Sequence, residues 1–279
     1  MFGTNCILIK RDFEAAFRHI PISPEDSPLL GFHWENRYYA ECFLPFGLQT
    51  ALYLFNLFAE VFHWILEQQL NSRNVPATVI HYLDDLLIVL PPGVDNSRCT
   101  EVFSTVCEQV GLSIKVAKNE EGTTISFAGI EFETSTMVIR LPPKKLHKAR
   151  TLVQKATTSR SPSLLEIQQL TRYLNFISKV VPQGRTFLRR LYNIELYIPP
   201  SSKHNRKRIS RETQRDLAWW SKALLHPPER SIANSRRQVI CAWSDAASTQ
   251  GFGGFYIGQN QAHPGPRSAF SIPIQLSLA

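Results

Sequence analysis

The sequence predicts an α+β fold: a split βαβ sheet domain, then a basic helical region, then the opening strands of another sheet. Three observations carry that prediction. Up to Leu141, short β-prone runs alternate with two long segments of helical period. After Pro142-Pro143 the pattern turns helical and rich in lysine and arginine. From Gln238 strand-like runs return, with Gly251, Gly253 and Gly254 between or within them. The expected divisions are residues 1–141, 142–237 and 238–279.

Cys6–Ile9 is a β-prone run leading into Lys10-Arg11-Asp12, and Phe13–His19 reads as one or two helical turns closed by Ile20-Pro21. Leu29–Trp34 and Tyr38–Phe43 flank Glu35-Asn36-Arg37 and predict a hairpin. Leu48, Leu52, Phe55, Phe58, Phe62 and Ile65 recur at helical spacing, giving a helix to about Leu70. Ala77–Tyr82 and Leu86–Leu90 predict two strands joined at Asp84-Asp85. Cys99–Val110 is an amphipathic helix closed by Gly111. Ser126–Glu133 and Met137–Leu141 predict another hairpin.

Lys144–Ala156 and Ser163–Val180 follow as helices, the second with Ser163 as cap and Glu166 as its capping-box partner. Ser201–Ser210 reads as a linker or exposed loop. Arg211–Leu225 is a helix carrying Trp219-Trp220, read either as core or as a base-stacking pair. Val239–Trp243 and Gly253–Ile257 are the final strands.

The chain has 279 residues, 43% of them hydrophobic, enough for one large core or two to three smaller ones. Its formal charge of +8 is unevenly placed. Between Arg140 and Arg215 the only acidic residues are Glu166, Glu195 and Glu212. Such a basic half implies a polyanionic partner or, more plainly, a solvated basic surface. Five cysteines without a CxxC pair fit reduced thiols, and no HxxxH pair points to zinc. No charged-then-apolar leader opens the chain, and Leu48–Leu66 is interrupted by Gln49, Asn56, Glu60 and His63. The expectation is a soluble intracellular protein of cytoplasm or nucleus, with no membrane partner.

The most informative stretch is Tyr82-Leu83-Asp84-Asp85. Two adjacent carboxylates at a turn between apolar strands repel one another and resist desolvation. A divalent cation relieves both costs.

Lys10-Arg11-Asp12-Phe13-Glu14-Ala15-Ala16-Phe17-Arg18 resembles motif A of reverse transcriptases. Leu44-Pro45-Phe46-Gly47-Leu48 with Phe55 resembles motif B, and Tyr82-Leu83-Asp84-Asp85 resembles motif C. Gly111-Leu112 with Lys118 resembles motif D, and Phe127-Ala128-Gly129 resembles the motif E hairpin. All five occur in that family's order between about Cys6 and Leu141. His19-Ile20-Pro21, Leu174-Asn175-Phe176 and Val180-Val181-Pro182 look most like the DIRS-like, tyrosine-recombinase retrotransposons.

The resemblance implies a right-hand polymerase palm with a helical thumb and connection. It implies a primed RNA or DNA template and deoxynucleoside triphosphates as partners, alongside other domains of a retroelement polyprotein. Asp12 and Asp84 would hold two Mg²⁺ ions, with Mn²⁺ as an alternative and Asp85 as an auxiliary ligand. Phe13, Phe17, Phe46, Gly47 and Lys118 would contact substrate. Phe17 is either the gate against a 2′-hydroxyl or a core aromatic, and Lys118 either meets pyrophosphate or is a solvated loop lysine. Phe127 and Gly129 would grip the primer. Ala242-Trp243-Ser244-Asp245-Ala246 resembles the opening strand of ribonuclease H, with Asp245 as its first metal ligand and no later acidic residue.

The chain departs from the pattern at three places. Ala51-Leu52 stands where the family usually has proline, and Ala15 where it often has an acidic residue. Met1 lies close before Asp12, so the expectation is a palm truncated at both ends and short of its fingers. Lys10 and Arg11 are poor substitutes for finger cations, because neighbouring strand residues face opposite ways. The rival expectation is a non-catalytic, nucleic-acid-binding remnant.

Overall fold

The computed structural model describes residues 2–159, 161–196, 206 and 208–233, and the backbone of three further strands. The chain divides into two compact units, Met1–Ala233 and Asn234–Ala279.

The first unit opens with β1 (Ile7–Asp12), which continues three residues past the predicted run. A short 3₁₀ turn, Ala16–His19, follows. The predicted hairpin is β2 (Gly31–Trp34) and β3 (Arg37–Ala40), joined through Glu35 and Asn36 at positive φ. That is the backbone a two-residue hairpin loop requires. Helix α1 (Ala51–Ser72) buries Phe55, Ala59, Phe62, Leu66 and Leu70 along one face. Strands β4 (Thr78–Tyr82) and β5 (Asp85–Leu90) form the Leu83-Asp84 hairpin. Helix α2 (Asn96–Val110) starts on the Asp95 side chain and ends at Gly111 with φ +74°. Strand β6 (Glu120–Gly122), too short to read in the sequence, completes the sheet.

The strand order is β4-β5-β1-β6, all antiparallel. Thus β1 and β4 are linked through α1 with β5 between them, and β5 and β6 through α2 with β1 between them. That double split βαβ arrangement is the predicted α+β, ferredoxin-like architecture.

Alternation along β1 sends its side chains to two different cores. Ile9 and then Phe13 face α1 and α2, in a core with Phe55, Phe62, Ile88 and Phe103. Cys6 and Leu8 face the other way, packing with Leu87, Ile125 and Phe127.

The next segment corrects one expectation. Ser126–Glu133 is not a single strand: β7 (Thr124–Phe127) turns at Ala128-Gly129 into β8 (Ile130–Glu133), which pairs with β9 (Val138–Arg140). Both turn residues have positive φ, so Phe127-Ala128-Gly129 forms a hairpin, as its resemblance to motif E implied.

Helices α3 (Pro143–Thr158) and α4 (Leu164–Ile177) follow. The Ser163–Glu166 capping box is formed in both directions. A 3₁₀ segment, Pro182–Leu188, and helix α5 (Arg189–Leu196) were among the elements that escaped sequence reading. Helix α6 (Arg211–Ala223) ends where Arg150 donates to the carbonyls of Leu224 and Leu225, both at 2.8 Å. Strand β10 (Glu229–Ser231) pairs with β9.

These helices share a third core that includes Leu146, Leu170, Leu174, Leu217 and Trp220. It also takes Ile130, Ile139 and Leu141 from the β8–β9 hairpin, so the cores part between Leu112 and Ile130 rather than at Pro142. Trp220 is fully buried and Trp219 stacks on Phe187 at 4.0 Å, which makes the pair core. Of Ser201–Ser210, residues 201–205 and 207 lie outside the described residues.

The second unit contains β11 (Cys241–Ala247), β12 (Gly251–Ile257) and β13 (Ser268–Ile272) in one antiparallel sheet. Gly251, Gly253 and Gly254 lie within β12, and Asp245 pairs with Gly253. Val239 and Ile240, expected in the first of these strands, lie outside the described residues. Among the described residues no helix is long and apolar enough to cross a membrane.

Candidate active site

The sheet register assembles the acidic site. Asp12 ends β1 directly opposite Asp85, which opens β5. By the alternation above, both lie on the face opposite α1 and α2. Asp84 sits in the turn, and its carbonyl accepts the Phe13 amide at 3.3 Å. Leu83 before it has φ +56°, a left-handed conformation that costs a branched side chain about 1 kcal/mol.

The electrostatics match this crowding. Asp12 is only 4% exposed. Desolvation, and then Asp84, push the Asp85 carboxyl above its usual range; Asp12 adds to the push while Lys10 and Lys118 oppose it. Lys118 donates to Asp12 Oδ2 at 2.6 Å, and that bond raises its own pKa. The backbone brings Lys118 there: Lys115 N–H donates to the Asp12 carbonyl at 2.9 Å, and a 3₁₀ turn, Val116–Lys118, carries the chain on. The ammonium thus supplies the cationic charge that three neighbouring carboxylates demand.

Hard carboxylate oxygens suit a divalent cation completed by water and phosphate oxygens. Among the described residues no group of three or more His, Cys, Asp or Glu side chains forms a ready cage. Asp12, Asp84 and Asp85 are thus neighbours in charge without being gathered as three ligands of one ion.

The aromatic residues divide. Phe17 packs edge-on against Phe46 at 5.2 Å and Phe55 at 5.4 Å, and Phe46 is 70% exposed. Phe17 is half-buried against the core of Phe13 and Phe55, the core-aromatic alternative for this ring, and only Phe46 beside it is open to solvent. Phe13 is buried between Phe55 and Phe62, so its side chain is not available to substrate. The alternation that sets Asp12 on the open face sends the next ring into the core. Gly47 has φ +93° and open space where a Cβ would stand, so backbone conformation is its requirement within the chain.

Lys10 and Arg11 are already engaged, Lys10 with Glu120 at 2.9 Å and Arg11 with Glu121 on the opposite face. Phe127 is buried beneath the β7–β8 turn. Gly129 has φ +77°, and a Cβ there would lie 2.3 Å from Lys145 Nζ, with Phe176 also close. The turn thus rests against α3 and α4. For Asp245 only the backbone on β11 is described.

Sequence reasoning missed three members of this region: Glu120 and Glu121, which occupy the strand cations, and His19, which accepts the Ser113 amide at 3.2 Å. The adjacent acidic pair Glu120-Glu121 was the available signal.

Residues 2–132 match the family described as "Reverse transcriptase (RNA-dependent DNA polymerase)". Protein P of heron hepatitis B virus is 22% identical over 187 residues, covering 66% of this chain and 23% of that protein. The genome polyprotein of Petunia vein clearing virus is 24% identical over 193 residues, covering 69% of this chain and 8% of the polyprotein. The chain therefore spans less than a quarter of these curated relatives. The structure of a foamy viral protease-reverse transcriptase in complex with double-stranded DNA superposes with a TM-score of 0.62 at 18% identity. That likeness covers 97% of this chain and 44% of the viral one, and it establishes the polymerase fold.

Proposed function

We propose that this chain, whose residues 2–132 match the reverse transcriptase family, performs template-directed DNA synthesis as the palm and thumb of an RNA-directed DNA polymerase. The observation that carries the reading is Asp12 opposite Asp85, beside the Asp84 turn, with Lys118 on the Asp12 carboxylate.

Asp12 and Asp84, with Asp85 as auxiliary, would hold divalent cations. Mg²⁺, or Mn²⁺ in its place, when bound there activates the primer 3′-hydroxyl and neutralises the triphosphate. The protein's own residues position and neutralise, which is nearly all that phosphoryl transfer asks of them. Lys118 balances Asp12 in the free protein. Released from that carboxylate, its half-exposed ammonium neutralises or protonates the leaving pyrophosphate. The Phe17 ring, braced by Phe46 and Phe55, closes the space a ribose 2′-hydroxyl needs and so selects deoxynucleotides. The basic helix α3, with Lys144, Lys145, Lys148, Arg150 and Lys155, grips the duplex backbone without reading sequence. The foamy viral structures in complex with double-stranded DNA and with an RNA/DNA hybrid support that class of partner.

Three finer assignments belong to this proposal. The strings around His19, Asn175 and Val181 support a DIRS-like retroelement source, with further polyprotein domains as partners. The strand bearing Asp245 is the opening of a ribonuclease H-like domain, supported by its motif and its antiparallel sheet. The setting is intracellular, in cytoplasm or nucleus.

Primer extension on an RNA template with Mg²⁺ and deoxynucleotides tests the reading. Extension is expected, and loss in Asp12→Asn and Asp84→Asn. Salt-sensitive duplex binding without any extension would mark a non-catalytic remnant instead.

A further inference from the structure

His19 carries no role in the chemistry described above, yet it is wired into it. The segment after Asp12 runs antiparallel to the segment before Lys118. Lys115 N–H donates to the Asp12 carbonyl, Glu14 N–H donates to the Ser113 carbonyl at 2.9 Å, and Phe13 bridges Ile114. The ladder ends at Ser113, whose own N–H turns back and donates to His19 Nε2 at 3.2 Å. An imidazole nitrogen that accepts carries no proton, so the proton is on Nδ1. Nδ1 faces the Ala16 carbonyl at 3.3 Å and donates to it. One neutral ring therefore links the turn that carries Phe17 to the strand that leads to Lys118. From the other side, Arg18 pairs with Glu41, with one contact at 3.1 Å, so the turn is held at both shoulders.

We propose that His19 is a positioning residue that fastens the Lys118 segment to the Phe17 turn, so that the groups meeting the two ends of the nucleotide keep one spacing. The inference deepens the polymerase reading and rests on it for its kinetic consequence. Its structural half stands on the Ser113 hydrogen bond alone. The short 3₁₀ turn of Lys118 lies between that ladder and strand β6, and the lysine's own contacts are the Asp12 carboxylate and the Lys115 carbonyl. Asp12 has other work during turnover.

The test compares the wild-type chain with His19→Ala and His19→Gln, because a glutamine amide oxygen accepts a hydrogen bond where Nε2 does. Amide hydrogen exchange at Ser113, followed by NMR in the free protein, is expected to quicken in His19→Ala and return toward wild type in His19→Gln. In primer extension, kcat for His19→Ala is expected to fall about two- to tenfold, the range one net hydrogen bond carries. KM for the deoxynucleotide should change less, and His19→Gln should recover the rate. Equal Ser113 exchange in all three proteins overturns the inference. So does altered exchange with unchanged kcat in an active enzyme. A wild-type chain that extends no primer instead overturns the polymerase reading and leaves the exchange result to judge the link.

Discussion

Asp12 and Asp216 are equally buried, each 4% exposed, one at the end of β1 and the other on α6. Their neutralisation differs. Asp216, on α6, has both oxygens on Arg190 Nη1, at 2.8 and 2.9 Å. Glu212, one turn earlier, is held down first by a hydrogen bond from its own amide and, among other groups, by the same guanidinium. Asp12 gives one oxygen to a flexible lysine ammonium and stands among Asp84 and Asp85, which crowd one another. Burial alone therefore does not mark a site. A buried acid whose partner can leave, with like charges beside it, does.

That contrast breaks most sharply by substitution. Asp12→Asn should lower primer extension by about a hundred- to a thousandfold, the scale of losing one transition-state electrostatic group. Its urea midpoint should barely move, because the lost pair involves an ammonium that is half exposed. Asp216→Asn should do the reverse: a loss of about 1–2 kcal/mol in unfolding free energy, reduced from the fully buried case because Arg190 is half exposed. Extension per folded molecule should survive. If both variants lose activity and keep stability, the comparison fails.

The helical core should be the less forgiving in volume. A Cβ on Gly184 would lie 2.2 Å from Trp220 Cη2, and that ring is fixed in the core. Gly184→Ala is expected to cost about 1–3 kcal/mol, read by urea denaturation. Gly129→Ala is milder, because the Lys145 ammonium it would meet can swing away. Its cost is the left-handed backbone, about 1–2 kcal/mol, read as a lowered Tm.

The smallest effect is electrostatic. The Lys155 hydrogen bond, and then the Ser163 amide, hold the Glu166 carboxyl down at about 2, against 4.5 for the free group. A depressed folded pKa contributes stability that is full above the unfolded value. It is lost as pH falls from 4.5 toward about 2. Glu166→Gln should flatten the stability profile across that window, while Ser163→Ala should cost about 1 kcal/mol at neutral pH. Thermal melts from pH 2 to 7 check both.

What was legible in the sequence was local. Ser163 with Glu166, Gly111 after Val110, and the spacing of Phe55, Phe62 and Leu66 announce themselves within one or two turns of chain. Asp12 and Asp84 were legible through their motifs. What stayed hidden depends on distant partners. Glu120–Gly122 is too short to show a period and is a strand only because β1 lies beside it. Phe13 belongs to a motif yet faces the core, which follows from where β1 ends rather than from its neighbours in sequence. Helix α5 lacks a capping signal that stands out from the 3₁₀ segment running into it.

The pairing of Ile9 with Ile88 and of Asp12 with Asp85 belongs to one unbroken ladder. Its consequence is genetic. Substitutions along β1 act one side chain at a time, and an apolar exchange at Ile9 or Ile88 leaves the carboxylates facing each other. Deleting or inserting a single codon within β1 or β5 exchanges the two faces for every residue beyond it, so core and site fail together. Such a lineage can drift widely in letters while its strand lengths stay locked.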